Sequence, residues 1–301
     1  MKIRIMMVVI ALMGIASFAF GEEVDERFFK ARKYLNDHNT VITSTVEQAY
    51  TQEYILMSGE GLPKKGAVGA QRRLTAFTAA KVVAQRRLVE FLEGVAVVSE
   101  TTVKDSELTS DAIKTAVTGF VKGTQVVIQD WNEREGTALV IIKVGLTGPK
   151  GFAAMMYNKI LSEPNIKKEL DKPSFTPPDE APSTAPVAEV YDGLVIDATD
   201  YSFRPALINR IFNTKGEVLY DPAKISQKVL VEQGCGEYTN SIDKAKAALG
   251  KRGVKNPLVV KASGTVSPSD LQVQDATATQ IFAANQGSGF MAEARVAFVL
   301  K

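Results

Sequence analysis

The chain has 301 residues, of which 45% are hydrophobic and 23% charged, enough to bury the cores of two modest domains. Its formal net charge is +2, and removal of a predicted leader containing Lys2 and Arg4 lowers the 36 basic residues to 34, equal to the 34 acidic residues. A nucleic-acid partner usually requires a strong basic excess, so this balance argues against one.

The first 21 residues are predicted to be a signal peptide. Lys2 and Arg4 precede an apolar stretch at 5–16, and small residues lead to a cut after Gly21. No later segment approaches the ~20 apolar residues that span a bilayer. Glu22 stands where a bacterial lipoprotein carries its anchoring cysteine. We expect an exported, periplasmic protein that reaches the outer membrane through a partner.

A first α+β domain with an N-terminal helix is predicted over residues 22–165. The predicted elements are helices at 24–36, 70–93, 111–120 and 151–161, and strands at 49–58, 95–108, 124–131 and 137–146. Gly94 is expected to end the long helix, after which the apolar residues alternate as in a strand. The residues at 132–136 predict a hairpin turn between the last two strands.

A Pro-rich linker is predicted over 166–189, and a second α+β module over 190–301. Five of the twelve prolines fall between 171 and 190. The elements predicted after the linker are strands at 191–199, 257–266 and 289–300, a strand or turn region at 208–220, and helices at 242–251 and 271–285. The predicted fold class is therefore α+β, with two modules that each have a mostly antiparallel sheet and helices packed on one face.

The sequence offers little for catalysis, metal binding or cofactor binding. His38 is the one histidine and lies in a polar stretch, and Cys235 is the one cysteine, which we expect to be buried. Gly61 and Gly66 have the spacing of a phosphate-binding loop, but Ala67 and Val68 replace its Lys-Ser/Thr pair. We therefore predict a non-enzyme with no catalytic residues, no cofactor and no metal site.

Two arginine pairs are the candidate binding residues. The pentapeptide AQRRL occurs at 70–74 and again at 84–88, which places the two pairs on roughly the same side of one helix. Arginine binds carboxylate or phosphate with two parallel hydrogen bonds, so the pairs could hold an anionic partner. The alternative is a solvated helix face whose arginine stems cover apolar surface. The candidate residues are Arg72, Arg73, Arg86 and Arg87.

The residues from Ala79 to Val126 resemble a bacterial envelope family, the twenty-kilodalton surface lipoprotein (LPP-twenty-like) domain. This stretch is also similar to the first domain of the flagellar T-ring assembly protein. The shared features are an Ala-rich helix entering RRLVEFLEGVAVVSETTV, and then KDSELTSDAIKTAVTGFVKGTQVV with its Gly-x-x-x-Gly spacing. The segment 191–220 looks like a module that accompanies this domain in other envelope proteins.

The resemblance implies an exported, non-catalytic bacterial protein that acts in envelope structure or assembly, with the flagellar base as one place of action. Its expected partners are envelope or flagellar-base proteins, and a homo-oligomer is a further option. The alternative hypothesis is a periplasmic binding module for an anionic ligand such as peptidoglycan or lipid headgroups, which would use the arginine pairs. Both hypotheses stay open on the sequence alone.

Overall fold

The computed structural model describes residues 24–178 and 190–301. The predicted signal peptide at 1–21, and the part of the predicted linker at 179–189, lie outside the described residues. Within these ranges, every helix is too short or too polar to cross a bilayer.

The described chain contains helices α1–α10 and strands β1–β13. The helices are α1 Phe29–Asp37, α2 Val46–Gln52, α3 Ala70–Glu93, α4 Val103–Thr109, α5 Asp111–Lys122, α6 Phe152–Ile160, α7 Pro164–Leu170, α8 Gln227–Gln233, α9 Ile242–Lys251 and α10 Asp275–Ser288. The strands are β1 Tyr54–Gly61, β2 Ala96–Val98, β3 Thr101–Thr102, β4 Gln125–Asn132, β5 Thr137–Gly145, β6 Gly193–Asp197, β7 Arg210–Phe212, β8 Val218–Tyr220, β9 Glu237–Thr239, β10 Pro257–Lys261, β11 Gly264–Ser267, β12 Asp270–Gln272 and β13 Val296–Val299.

The first module is built on an antiparallel sheet with the order β1-β5-β4, as predicted. The long helix α3 packs across β1 and β5 and has the predicted bounds. Its packing face is a stripe of small and aliphatic side chains, all fully buried: Ala76, Ala80, Ala84, Leu88 and Leu92. Apolar residues at helical spacing along the whole segment are why the bounds of α3 could be predicted.

Helix α3 approaches the sheet closely at two glycines of β1. A Cβ atom built on Gly59 would lie 2.3 Å from the carbonyl oxygen of Ala80, and one on Gly61 would lie 2.3 Å from that of Ala76. Gly59 and Gly61 therefore have a packing role, because the helix backbone occupies the space of a side chain.

The other face of this sheet is covered by α1, so the expectation of helices on one face is wrong here. Phe28, Ala31 and Leu35 pack with Leu56 of β1 and Ile141 of β5 in a separate cluster. Strands covered on both faces bury consecutive residues, which removes the period-2 pattern that sequence reasoning depends on.

Two strands predicted for this module are shorter than expected. Residues 49–58, predicted to be one strand, form the end of helix α2 and the start of β1. The predicted strand at 95–108 is the short hairpin β2–β3, turned at Ser99 with φ +53°, followed by α4. A capping box starts that helix, since Thr102 and Asp105 each bond the other's backbone N–H. The sequence spacing Thr-x-x-Asp was the signal that could have predicted it.

The main sheet of the second module is parallel. Its order is β10-β6-β13-β9, and all three neighbouring pairs are parallel. The two-module α+β layout is confirmed, but the expectation of an antiparallel sheet is wrong for this module. Nearly every position of β6 and β13 is buried, which is typical of parallel strands covered on both faces. Helix α9 covers one face through Ala245 and Leu249.

A second, mixed sheet with the order β11-β12-β7-β8 completes this module. The strand predicted at 257–266 is divided between the two sheets as β10 and β11. The helix predicted at 271–285 is preceded by β12 and begins at Asp275 as α10. Helix α9 has the predicted bounds.

The predicted linker is ordered at its start. Helix α7 crosses the predicted boundary at residue 165, and the chain after it lies along the second module. The Phe175 amide donates to the Val218 carbonyl at 2.9 Å, and the Phe175 ring packs edge-on against Phe282 at 5.7 Å. This part of the predicted linker is therefore packed against the second module.

The two modules share one hydrophobic core. Residues of β1, α3 and β5 belong to the same buried cluster as residues of β6, β7 and β13. Strand β2 joins the modules directly, because the amides of Leu207 and Ile208 donate to the carbonyls of Ala96 and Val97 at 2.9 and 2.8 Å. The largest core is therefore common to both modules, and each module has in addition a smaller cluster of its own.

Candidate functional site

The four candidate arginines are all exposed on α3, but they do not form one cluster. The pairs 72–73 and 86–87 are separated by 14 residues, which is about 21 Å along a helix axis. The structure therefore places the two arginine pairs at separate positions along one helix.

The first pair lies over the indole of Trp131 on β4. The guanidinium carbons of Arg72 and Arg73 lie 6.0 and 5.6 Å from the centre of that ring. Arg73 also forms an ion pair with Glu133 in the hairpin turn. The planar guanidinium suits such stacking, and the stacked pair is held at the start of the helix.

The second pair lies near β1 of the sheet. Arg87 donates to the carbonyl and hydroxyl oxygens of Ser58 on β1, each at 3.3 Å. Arg86 precedes it in the same turn, about 100° away around the helix, and is exposed. An anion that bridges both pairs would have to be long, such as a polymer or an extended surface.

The arginines belong to a larger basic segment. Between Gly61 and Val89 the sequence contains no acidic residue, whereas it contains seven basic ones: Lys64, Lys65, Arg72, Arg73, Lys81, Arg86 and Arg87. This run of one sign was visible in the sequence and extends the candidate surface to the loop before α3. A surface of one charge attracts the opposite charge over about a Debye length.

We call the interface between the two modules the seam. It contains a buried ion pair that the sequence analysis missed. The Nη2 atom of Arg210 lies 2.8 Å from Oδ2 of Asp270, and both side chains are at most 2% exposed. The same guanidinium donates to the Ser99 hydroxyl at 2.7 Å and to the Glu169 carbonyl at 2.9 Å. Arg210 thus connects β7 with the β2–β3 turn, with α7 and with β12.

Next to this pair lies a buried group of tyrosines around Cys235. The Tyr238 hydroxyl is 3.0 Å from the Cys235 sulfur, and Tyr157 donates across the seam to the Leu207 carbonyl at 3.0 Å. The rings of Tyr50 and Tyr238 make an edge contact between the modules at 4.8 Å. Burial raises the pKa of each of these three phenols well above its usual value.

Cys235 is 2% exposed, which confirms the expectation of a buried thiol. Burial also raises the pKa of this thiol, and only the thiolate is nucleophilic. We expect Ellman's reagent at pH 8 to leave the folded protein unmodified and to modify one thiol per chain after denaturation in guanidinium. Rapid modification of the native protein would show that the thiol is accessible.

His38 follows α1 as an exposed residue, in the solvated position predicted for it. Its Nδ1 atom lies 2.9 Å from the Tyr34 carbonyl oxygen, and its ring packs against the Tyr34 ring. In the two described ranges, no group of three or more His, Cys, Asp and Glu residues is placed to hold a metal ion.

A cleft of about 580 Å³ opens between the modules beside the tyrosines. Arg252 lies in its wall, but the guanidinium is held by Glu237 at 2.6 Å, by the Gln233 carbonyl at 2.6 Å and by the Ala294 carbonyl at 2.9 Å. The arginine therefore joins the loops of the second module, and its hydrogen-bonding capacity is largely used within the protein.

The fold and the seam define a class, a two-module α+β protein whose modules share one core. A family model described as the second domain of Treponema pallidum Tp0624 matches residues 193–301, which begin at the first residue of β6. A comparison of the chain with curated proteins gave no match. The similarity to Tp0624 thus concerns the second module.

Proposed function

We propose that this chain is an exported, non-catalytic bacterial cell-envelope protein that acts in structure or assembly, with the flagellar base as one place of action. The predicted signal peptide and the resemblance of Ala79–Val126 to envelope domains support the export and the location. The periplasm, with outer-membrane association through a partner, is the proposed compartment.

The observation that carries the proposal is the hydrophobic core that continues from one module into the other. Domains joined by a small polar interface usually move relative to one another, whereas a large apolar interface holds them together. Here a continuous core, backbone bonds from β2 and the Arg210–Asp270 pair all cross the seam. A protein whose two modules are held in a fixed relative position suits a structural component that sets the spacing between its partners in an assembly.

Site-specific photo-cross-linking in intact cells tests this proposal. A cross-linkable residue at the exposed position Val82 or Arg86 of α3 is expected to capture an envelope or flagellar-base protein, and fractionation is expected to place the chain in the periplasm. The matched control is the exposed position Val266 on β11. A cytoplasmic location, or a deletion strain with normal motility and envelope integrity and no captured partner, would contradict the proposal.

The basic segment favours a second candidate, a periplasmic binding module for an anionic ligand. Reversal of one pair in Arg72→Glu/Arg73→Glu, or of the other in Arg86→Glu/Arg87→Glu, tests it in pull-downs with purified peptidoglycan. An extended polymer is expected to lose at least about tenfold in affinity with either double variant, since each replaces two positive charges at the contact with two negative ones. A small ligand would respond to one pair only, and unchanged binding to every anion would argue against this candidate.

A further inference from the structure

The loop that enters α3 carries exposed aliphatic side chains among its lysines. Leu62, Val68 and Leu74 are 68%, 76% and 67% exposed, among the highest values for large apolar side chains in the described chain. The Lys64 amide donates to the Thr75 hydroxyl at 3.1 Å, which fastens this loop against the first turns of α3. We call residues 62–74 the loop tip.

The charge of the loop tip is entirely positive. Lys64 and Lys65 are exposed, and neither makes an ion pair within the described residues. Arg72 and Arg73 stand at the edge of the tip over Trp131. Exposed lysines beside exposed leucine and valine in one loop offer a partner both charge and apolar surface.

Single exposed apolar residues are common on protein surfaces and need no explanation. Here, however, three exposed apolar residues lie close together in the sequence, within one basic loop and the helix start that follows it. An acidic protein surface or a glycan would use the lysines but leave the aliphatic side chains in water. A bilayer with anionic headgroups uses both, because acyl chains accept the aliphatic groups and lipid phosphates attract the lysines.

We propose that the loop tip docks on an anionic lipid bilayer, with Leu62, Val68 and Leu74 entering the headgroup region and Lys64 and Lys65 contacting lipid phosphates. This inference rests on the second candidate function and names its ligand. Docking is peripheral and reversible, since the apolar contact consists of three side chains. The rigid seam then holds the second module at a fixed position relative to the membrane.

Flotation of the purified mature chain with lipid vesicles tests the proposal. Vesicles of phosphatidylcholine mixed with phosphatidylglycerol are expected to bind the protein, and vesicles of phosphatidylcholine alone are expected to bind it far less. Lys64→Glu/Lys65→Glu is expected to weaken binding more than about thirtyfold, because it removes two attractive charges and adds two repulsive ones. Leu62→Ser/Val68→Ser/Leu74→Ser is expected to weaken it at least about tenfold, because the apolar contact is lost.

The control variants carry the same kinds of change elsewhere on the surface. Leu108→Ser alters an apolar residue that is 79% exposed on α4, and Lys228→Glu/Lys246→Glu reverses two exposed lysines of the second module. Both controls are expected to keep vesicle binding within about twofold. A circular dichroism melt of each variant establishes that it is folded, which these surface positions allow.

The outcomes separate this inference from the function on which it rests. Binding to peptidoglycan without binding to anionic vesicles overturns the lipid inference and leaves the anionic-ligand candidate standing. Vesicle binding that the loop-tip variants and the controls reduce equally overturns the assignment of the site. Absence of binding to vesicles, peptidoglycan and other anions overturns both.

Discussion

Asp270→Ala is expected to lower the free energy of unfolding by about 3–5 kcal/mol. Asp270 accepts from the Arg210 guanidinium at 2.8 and 3.1 Å and from the hydroxyls of Ser99 and Ser267, each at 2.9 Å. Removal of the carboxylate leaves a positive charge in a site without solvent, and this unpaired charge is the main cost. Urea denaturation followed by circular dichroism measures the change.

An exposed ion pair provides the control for that measurement. Asp200 and Lys261 form a contact at 2.7 Å with both side chains more than half exposed, so Asp200→Ala is expected to cost less than about 1 kcal/mol. The double variant Arg210→Met/Asp270→Leu is expected to be more stable than Asp270→Ala, because no buried charge remains. Equal stability of Asp270→Ala and Asp200→Ala would contradict the structural role of the buried pair.

Gly59→Ala and Gly61→Ala are each expected to destabilise the first module by about 3 kcal/mol. A new methyl group would meet the backbone of α3 at 2.3 Å, and backbone cannot rotate out of the way as a flexible side chain can. The helix would have to move away from β1, which would loosen the buried alanine stripe. Thermal melts and urea titrations of the two variants measure the loss.

Gly119→Ala is the matched control for the glycine substitutions. Gly119 lies within α5, and a Cβ atom there would meet nothing within 4 Å. Alanine at this position is expected to raise stability by about 0.5–1 kcal/mol, since it favours the helix and restricts the unfolded chain. Stable Gly59 and Gly61 variants would show that α3 tolerates a wider separation from the sheet than the structure indicates.

Local patterns predicted the parts of the fold that depend on local interactions. The bounds of α3 and α9 follow from helical periodicity and from their end signals, and the β4–β5 hairpin follows from its turn. The strand predicted at 95–108 was wrong because apolar alternation outweighed the capping signal at Thr102 and Asp105. Sheet direction in the second module depends on pairing between distant strands, which periodicity does not report.

The candidate surface was partly visible in the sequence, and the seam was not. The run of basic residues without acidic ones between Gly61 and Val89 can be seen in the sequence alone. By contrast, Arg210 stands in the sequence like any surface arginine, and its burial depends on Ser99, Glu169 and Asp270, which are distant along the chain. The ion pair and hydrogen bonds of Arg210 can therefore be recognised only in the folded structure.

The seam also has a consequence for how the chain unfolds. The segment similar to Tp0624 starts at Gly193 and so lacks β2 and Ser99, which supply backbone and side-chain bonds to Leu207, Ile208 and Arg210. Excised alone, this segment would expose the apolar face that β2 and α6 cover and would leave a buried guanidinium short of a partner. The two modules are therefore interdependent in stability, and heating the whole chain should give one cooperative transition in place of two.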